Sequence, residues 1–303
     1  MIRAPRTQHG AAGHATLRVG LAAPREYAMR LDESTLIGSG ANAEVYAYGD
    51  GRALKLFRER SPFHANEMLA ARAAAEAGLP TPRVWGDDLI EVDDREGIVF
   101  DRVDGITMHQ HVEENPDDAK ASGRALAELH ARMHACDGRG LHSLRWGLMQ
   151  SIPRARALGP ETQDAVVSIL YSLPEEPSMC HNDLHPLNVL RVGDSWVIID
   201  WAGGLRGNRL AGHARSWLLS RYWMDTLGSS APHTWRRFWC AYLDTYRELA
   251  PVASEELRAW QTVIVAVGVT WDKTVPDPET RVEFVEASLA GRSHRWLSDG
   301  ERE

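Results

Sequence analysis

Four side chains with chemistry crowd one short stretch of the chain, MCHNDLHPLNVLRVGDSWVIIDWAGG, which runs from residue 179 to 204. His181-x-Asp183-x4-Asn188 is followed by an apolar run and then by Asp200. Magnesium takes carboxylate, amide and phosphate oxygens and keeps few protein ligands, which suits Asn188 and Asp200. Asp183 stands five residues before Asn188, so it can share the site and still accept a proton from a hydroxyl. Taken singly, each of these residues also reads as an Asx-turn or a helix cap. The case for a metal and phosphate site rests on the set, and on what lies upstream of it.

Upstream, STLIGSGANAEVYAYGDGRALKLF places Gly38, Ser39 and Gly40 ahead of a lysine, Lys55. The glycine turn lies between two predicted strands. That excludes a dinucleotide-binding loop, which needs a helix N-terminus after it, and the Gly-Lys-Ser/Thr of a Walker loop is missing. The turn reads equally as a plain hairpin or as a hairpin whose backbone N–H groups cover phosphates. Lys55, in ALKLF, reads as a solvated strand lysine or as an ammonium held by Glu67 and presented to two phosphates. Composition bears on the choice: the chain has three lysines (Lys55, Lys120 and Lys273) against 31 arginines.

The elements that must position these groups fall into two kinds. Residues 43–48 and 53–57 have the β-branched and aromatic content of strands, joined by a tight turn at Gly49-Asp50-Gly51. Ser61-Pro62 opens an alanine-rich helix to residue 77, closed by Gly78 and Pro80. Extended pieces follow at 81–85 and 97–103. After Asp104-Gly105 the pattern turns helical, with helices expected at 115–136, 160–173, 214–226, 233–249, 254–271 and 278–289. Only the 179–204 stretch interrupts them, as loop, strand, turn and strand. The plan is α+β: a mostly β first third and a mainly helical remainder. Residues 1–27 read as a flexible extension with one edge strand at 16–21, 28–104 as a small lobe and 105–303 as a larger one.

Bulk properties narrow the class. A 44% hydrophobic and 25% charged chain of 303 residues is a folded, globular one. A net charge of −8 speaks against nucleic acid as a partner. No apolar run reaches the length of a signal peptide or a membrane span. Cys136, Cys180 and Cys240 form no CxxC pair, so neither a zinc site nor a disulfide framework is expected, and reduced thiols in a cytoplasm are. The pairs His109/His111 and His130/His134 find no third ligand in the sequence and read as packing or surface residues.

HNDLHPLNVL and VIIDW together resemble the catalytic-loop and metal-aspartate motifs of the aminoglycoside phosphotransferase and choline-kinase-like family, over roughly residues 36–216. The resemblance implies a bilobal protein-kinase-like fold, with a small antiparallel N-terminal β lobe carrying one helix and a larger, mainly helical C-terminal lobe. It implies ATP (or GTP) and Mg²⁺ as cofactors and a small-molecule hydroxyl as acceptor, in a monomer or homodimer. Asp183 would orient or deprotonate the acceptor, Asn188 and Asp200 would hold the metal, and His181 would brace the loop. Lys55 would bind the α- and β-phosphates and pair with Glu67, and the Gly38-Ser39-Gly40 turn would cover the triphosphate. The main chain of Asp101 and Val103 would meet the adenine edge. Trp271, Asp272 and Glu286 lie where relatives bind the acceptor. That acceptor would be an aminoglycoside, aminocyclitol or amino sugar, with choline-like amino alcohols and simple sugars as alternatives.

The departures from the pattern also carry information. Asn182, His185-Pro186 and Asp200-Trp201-Ala202 replace protein-kinase residues, and no activation segment of useful length follows. These favour a small-molecule kinase. Relatives carry Gly-Asp-Pro-x-x-Asp after the metal aspartate. Here the segment is Gly207-Asn208-Arg209-Leu210-Ala211-Gly212, without either acid. The missing acids leave open a catalytically impaired pseudokinase that binds nucleotide.

Overall fold

A computed structural model describes residues 35–225, 231–251, 253–270 and 278–298. The expected extension at 1–27, its edge strand at 16–21, and Trp271 and Asp272 lie outside the described residues.

Five antiparallel strands open the described chain: β1 (Leu36–Ser39), β2 (Ala43–Ala47), β3 (Arg52–Phe57), β4 (Val84–Val92) and β5 (Arg95–Asp101), in the spatial order β1-β2-β3-β5-β4. The β2–β3 turn takes positive φ at Gly49 and Gly51, which glycine alone tolerates freely. The strands expected at 81–85 and 97–103 shift into one hairpin, turned by Asp93 and Asp94 at φ of 49° and 62°. Two consecutive left-handed residues make the turn that suits strand twist, and an Asp-Asp pair signals it less clearly than Asn-Gly.

Alternation along β3 decides what the site receives. Leu54 and Leu56 join Val99 in a small cluster under Tyr46, Tyr48 and Trp85. Ala53, Lys55 and Phe57 share the opposite face, toward α1 (His64–Glu76). That helix begins two residues after the expected Ser61-Pro62 start. Ala70, Ala71 and Ala74 are buried along it, and their small side chains let it approach the chain beyond Asp200 closely. A Cβ added at Gly204 would stand 2.3 Å from the Ala70 Cβ.

After β6 (Ile106–Thr107) the chain is mainly helical: α2 (Met108–Glu114), α3 (Ala119–His134), α4 (Leu144–Ser151), α5 (Pro160–Ser172), α6 (Arg209–Asp225), α7 (Pro232–Leu249), α8 (Ser254–Gly268), α9 (Pro278–Leu289) and α10 (Arg295–Ser298). The helix expected from residue 115 is split. Pro116–Asp118 form a 3₁₀ turn and α3 starts after it, while α2, unforeseen, is capped by Thr107 Oγ1 accepting the Gln110 N–H at 3.0 Å. α4 was likewise unforeseen, and α6 begins five residues earlier than expected. Two small sheets complete the lobe. β7 (Ser178–Cys180) pairs with β10 (Leu205–Gly207), and β8 (Val189–Val192) lies between β6 and β9 (Ser195–Ile198). At Gly105, between β5 and β6, a Cβ would stand 2.4 Å from the Arg191 carbonyl oxygen, so only glycine fits. The architecture is the bilobal kinase-like one expected from the sequence.

Candidate active site

Lys55 forms the charged link between the β-rich part of the chain and the loop that follows β9. Its Nζ donates to Glu67 Oε1 at 2.6 Å and to Asp200 Oδ1 at 3.0 Å, bridging residues 145 apart in sequence. β3 supplies the lysine and α1 the glutamate. Asn66, next to Glu67, donates its amide to the Gly204 carbonyl at 3.0 Å and so fixes α1 against the chain beyond Asp200. Glu67 is 2% exposed, and burial pushes its carboxyl up to about 7 against the pull of Lys55. Burial disfavours the Lys55 ammonium, but the two carboxylates outweigh it and the net shift is upward. Lys55 therefore stays charged across the physiological range.

The glycine turn sits at the end of β1. Gly40 N–H donates to the Ala43 carbonyl at 2.9 Å, and Arg58 reaches the Gly40 carbonyl and the Ser39 hydroxyl. Neither Gly38 nor Gly40 has positive φ, and an added Cβ at either would meet only ordinary contacts. The backbone does not need glycine there. What the two residues provide is unobstructed main chain.

The catalytic-loop motif hangs between β7 and β8. His181 is fully buried; its Nδ1 accepts the Asp183 N–H at 3.3 Å and its Nε2 donates to the Ile199 carbonyl at 3.0 Å. Burial lowers its pKa, and the neutral ring ties this loop to the residue before Asp200. Asn182 takes φ of 60° and donates its amide to the Gly203 carbonyl at 2.9 Å. Asp200 is also left-handed, at φ 64°, and its side chain is 44% exposed. Such backbones cost of order 1–3 kcal/mol and persist where surrounding contacts over-determine them. The Ile199 N–H donates to the Asn188 carbonyl at 3.0 Å, which sets Asn188 beside Asp200.

Asp183 is 43% exposed, and its carboxylate is surrounded by donors. Asn188 Nδ2 donates to Oδ2 at 3.2 Å and to the Asp183 carbonyl at 2.9 Å. His185 Nε2 stands 3.5 Å from Oδ2, and Arg215 Nη2 3.7 Å from Oδ1. Burial alone would raise this carboxyl. The His185 bond and the charges around it win, and hold it well below the usual carboxylate range. It is thus ionised at any working pH. Such a group can orient a hydroxyl and take its proton as the oxygen attacks a phosphorus atom.

The remaining predicted residues are placed as follows. The Asp101 N–H is already given to the Arg83 carbonyl at 2.9 Å, and its Oδ1 accepts from Trp85 Nε1 at 2.6 Å. Only the Asp101 carbonyl is left for an adenine edge, whereas the Val103 N–H makes no backbone bond among the described residues. Glu286 is exposed on α9, whose Phe284 packs against Trp217 and Trp296. No described contact links it to the Asp183 loop. His130 and His134 pair with the Tyr242 and Tyr246 hydroxyls, and His111 with Asp118 and Arg191; among the described residues no group of three or more His, Cys, Asp or Glu could hold a metal ion. His185, Arg215 and Ser216 were not singled out from the sequence. His185 lies inside the motif and could have been; Arg215 is one of 31 arginines and carries no sequence signal.

An antiparallel β lobe whose strand lysine reaches a helix glutamate and a loop aspartate, above a His-x-Asp-x4-Asn loop, defines a kinase-fold phosphotransferase. The model of the phosphotransferase enzyme family APH matches residues 33–252, and the chain belongs to that family. No curated protein matches it in sequence. Among solved structures it is similar to a thermostable mutant of aminoglycoside phosphotransferase APH(4)-Ia, apo form (17% identity, TM-score 0.59, covering 84% of this chain and 93% of that one). It is also similar to amicoumacin kinase hAmiN in complex with AMP-PNP, Ca²⁺ and Ami (13% identity, TM-score 0.58, 88% and 92% covered). The aminoglycoside-3'-phosphotransferase of type VIII aligns at 21% identity and TM-score 0.50, covering 76% and 90%. The chain is a small-molecule phosphotransferase.

Proposed function

We propose that this enzyme transfers the γ-phosphoryl group of ATP to a hydroxyl of a small polar molecule, with residues 28–104 as the nucleotide lobe and 105–303 as the lobe carrying the catalytic loop. The observation that carries the reading is the Lys55 bridge to Glu67 and Asp200 across the lobe seam, directly beside the Asp183–Asn188 loop.

The oxygen donors suit Mg²⁺. Asn188 spends its Nδ2 on Asp183, which leaves Oδ1 without a hydrogen bond among the described residues, and Asp200, whose Oδ1 accepts from Lys55, presents a half-exposed carboxylate one residue beyond the Ile199–Asn188 backbone bond. These two residues would hold the metal, which when bound neutralises charge on the phosphate oxygens. Lys55, preset by Glu67, would bind the α- and β-phosphates. The Gly38-Ser39-Gly40 main chain would lie over the triphosphate, and the Asp101 carbonyl and Val103 N–H would meet the adenine. Asp183 would align the acceptor hydroxyl and receive its proton. Most of the rate gain then comes from in-line positioning and charge neutralisation.

For the acceptor we propose an aminoglycoside, aminocyclitol or amino sugar. Family membership supports this class, as do structural neighbours solved in ternary complex with ADP and hygromycin B or in complex with Ami. The test is a screen of aminoglycosides, amino sugars, sugars and amino alcohols for ADP release, with mass spectrometry for the added phosphate. In the same assay Asp183→Asn should bind ATP as the wild type does and lose about 10²–10⁴-fold in transfer. Unchanged transfer by that variant would remove Asp183 from the reaction.

A further inference from the structure

Asp183 sits on a short loop between two strands, and its usefulness depends on both its backbone and its rotamer being fixed. The acids that the family resemblance expects at positions 208 and 212 are absent. Asn208 is occupied elsewhere: its Oδ1 accepts the Leu210 N–H at 2.8 Å and its Nδ2 points to the Pro174 carbonyl at 3.3 Å. Gly212 has no side chain to offer, and a Cβ there would stand 2.5 Å from His134 Nε2. Neither residue reaches the loop by any described hydrogen bond.

Two later residues of α6 do. Arg215 Nε donates to the Asn182 carbonyl at 3.1 Å, and its Nη2 stands 3.7 Å from Asp183 Oδ1. Ser216 Oγ donates to the Leu184 carbonyl at 3.1 Å. The carbonyls before and after Asp183 are thus both tied to α6. One planar guanidinium holds the strained Asn182 backbone and one oxygen of the Asp183 carboxylate together, a geometry that a rigid fork of donors suits. From the other side Asn188 and His185 face the second oxygen.

We propose that Arg215, with Ser216, is the positioning residue for Asp183, taking over from α6 the bracing of the catalytic loop that positions 208 and 212 do not supply. The proposal rests on the phosphotransfer reading of Asp183. Arg215 does not touch the reacting atoms; it acts through the aspartate.

The experiment compares wild type, Asp183→Asn, Arg215→Met, Arg215→Lys and the Asp183→Asn/Arg215→Met double variant. The probe is Mg-ATP, with water as the phosphoryl acceptor and ADP release as the readout. Amide hydrogen exchange over residues 181–188 is read on the same samples. Arg215→Met should lower kcat by about 10–100-fold with KM for ATP within about twofold, because a misplaced group costs rate and not nucleotide affinity. Arg215→Lys, which can reach one of the two partners, should recover part of the loss. The double variant should be no slower than Asp183→Asn alone, as expected for residues acting through one another. Exchange at 181–188 should quicken in Arg215→Met while the rest of α6 stays protected. If Arg215→Met does not fold, Arg215→Gln, which keeps a donor for Asn182 and drops the charge, is read by the same criteria. Wild-type kcat and wild-type exchange in the arginine variants, with Asp183→Asn inactive, would overturn the role of Arg215 alone. Wild-type kcat in Asp183→Asn would overturn the phosphotransfer reading beneath it.

Discussion

At the scale of single residues, the Lys55–Glu67 pair is held by a compromise that can be tested by pH. Glu67 is buried and its carboxyl already stands near 7 with the ammonium 2.6 Å away. Replacing the lysine by alanine leaves a buried carboxyl with no cation, and its pKa rises further above the 4.5 of an exposed glutamate. A carboxyl whose folded pKa is raised takes up a proton more readily when folded. Folded-state stability is then favoured below that pKa and lost as pH climbs through it. Lys55→Ala should therefore unfold more easily at pH 8.5 than at pH 6.5, losing up to about 1.4 kcal/mol for each pH unit between the unfolded value and the new pKa and nothing further above it. Urea titrations of wild type and variant at the two pH values check it. A loss for Lys55→Ala that does not grow with pH would mean that Glu67 is not the charge being left alone.

At the scale of elements, Gly123 on α3 makes a prediction whose sign separates two effects. Helix propensity alone favours alanine over glycine by about 1 kcal/mol. At Gly123, however, a Cβ would stand 2.2 Å from the Phe238 carbonyl oxygen of α7, which is backbone and cannot rotate away. Overpacking of that kind costs about 1–3 kcal/mol. Gly123→Ala should lower Tm, while the same change at Gly147 on α4, where nothing lies within 4 Å, should raise it or leave it unchanged. Thermal melts of the two variants decide the matter. Elements also show how far the sequence could be read. The strands around Gly49–Gly51 and the helices at 160–172, 232–249 and 278–289 follow from turn residues and periodicity and are found nearly where expected. α2 was hidden because it is seven residues long and starts directly from a strand, with Thr107 as its only signal. The break before α3 was hidden because Pro116 suits a helix start and a 3₁₀ turn equally well. Of the candidate site, Lys55, Glu67, Asp183, Asn188 and Asp200 were legible as candidates because their types and spacing form a pattern in the sequence. The brace from Arg215 and Ser216 was not, since a contact made across the fold between an arginine and a carbonyl leaves no local pattern.

At the scale of the whole molecule, the larger lobe is built around three buried histidines, and this should make the protein sensitive to acid. His130 and His134 on α3 face Tyr242 and Tyr246 on α7 through 2.7 Å hydrogen bonds, and His213 of α6 stacks on Tyr246 with ring centroids 4.0 Å apart. Burial, each other's charge and the nearby Arg209 and Arg247 all disfavour protonation; His134 and His213 are pushed down to about 3, and His130 lies well below its ordinary value. Cys180, also buried beside this cluster, is pushed up to about 12 and stays a neutral thiol. In the unfolded chain the same imidazoles titrate near 6.5. Above that pH both states are neutral and stability is full. As pH falls from 6.5 toward 3 the unfolded chain binds protons that the folded chain refuses, so stability drops by up to about 1.4 kcal/mol per histidine per pH unit. Glu67 works the other way between 7 and 4.5, one group against these three and His181, whose burial also lowers its pKa. The folded protein should thus weaken steeply between pH 6.5 and 5, with activity and tertiary structure lost together, because α3 and α6 flank the strand that leads into the Asp183 loop. Replacing His134 and Tyr246 together by Leu and Phe removes one titrating group along with its hydrogen-bond partner and leaves little unsatisfied. Chemical denaturation at pH 5 and pH 7 should show a smaller difference for that double variant than for wild type. An unchanged difference would place the acid lability outside the histidine cluster.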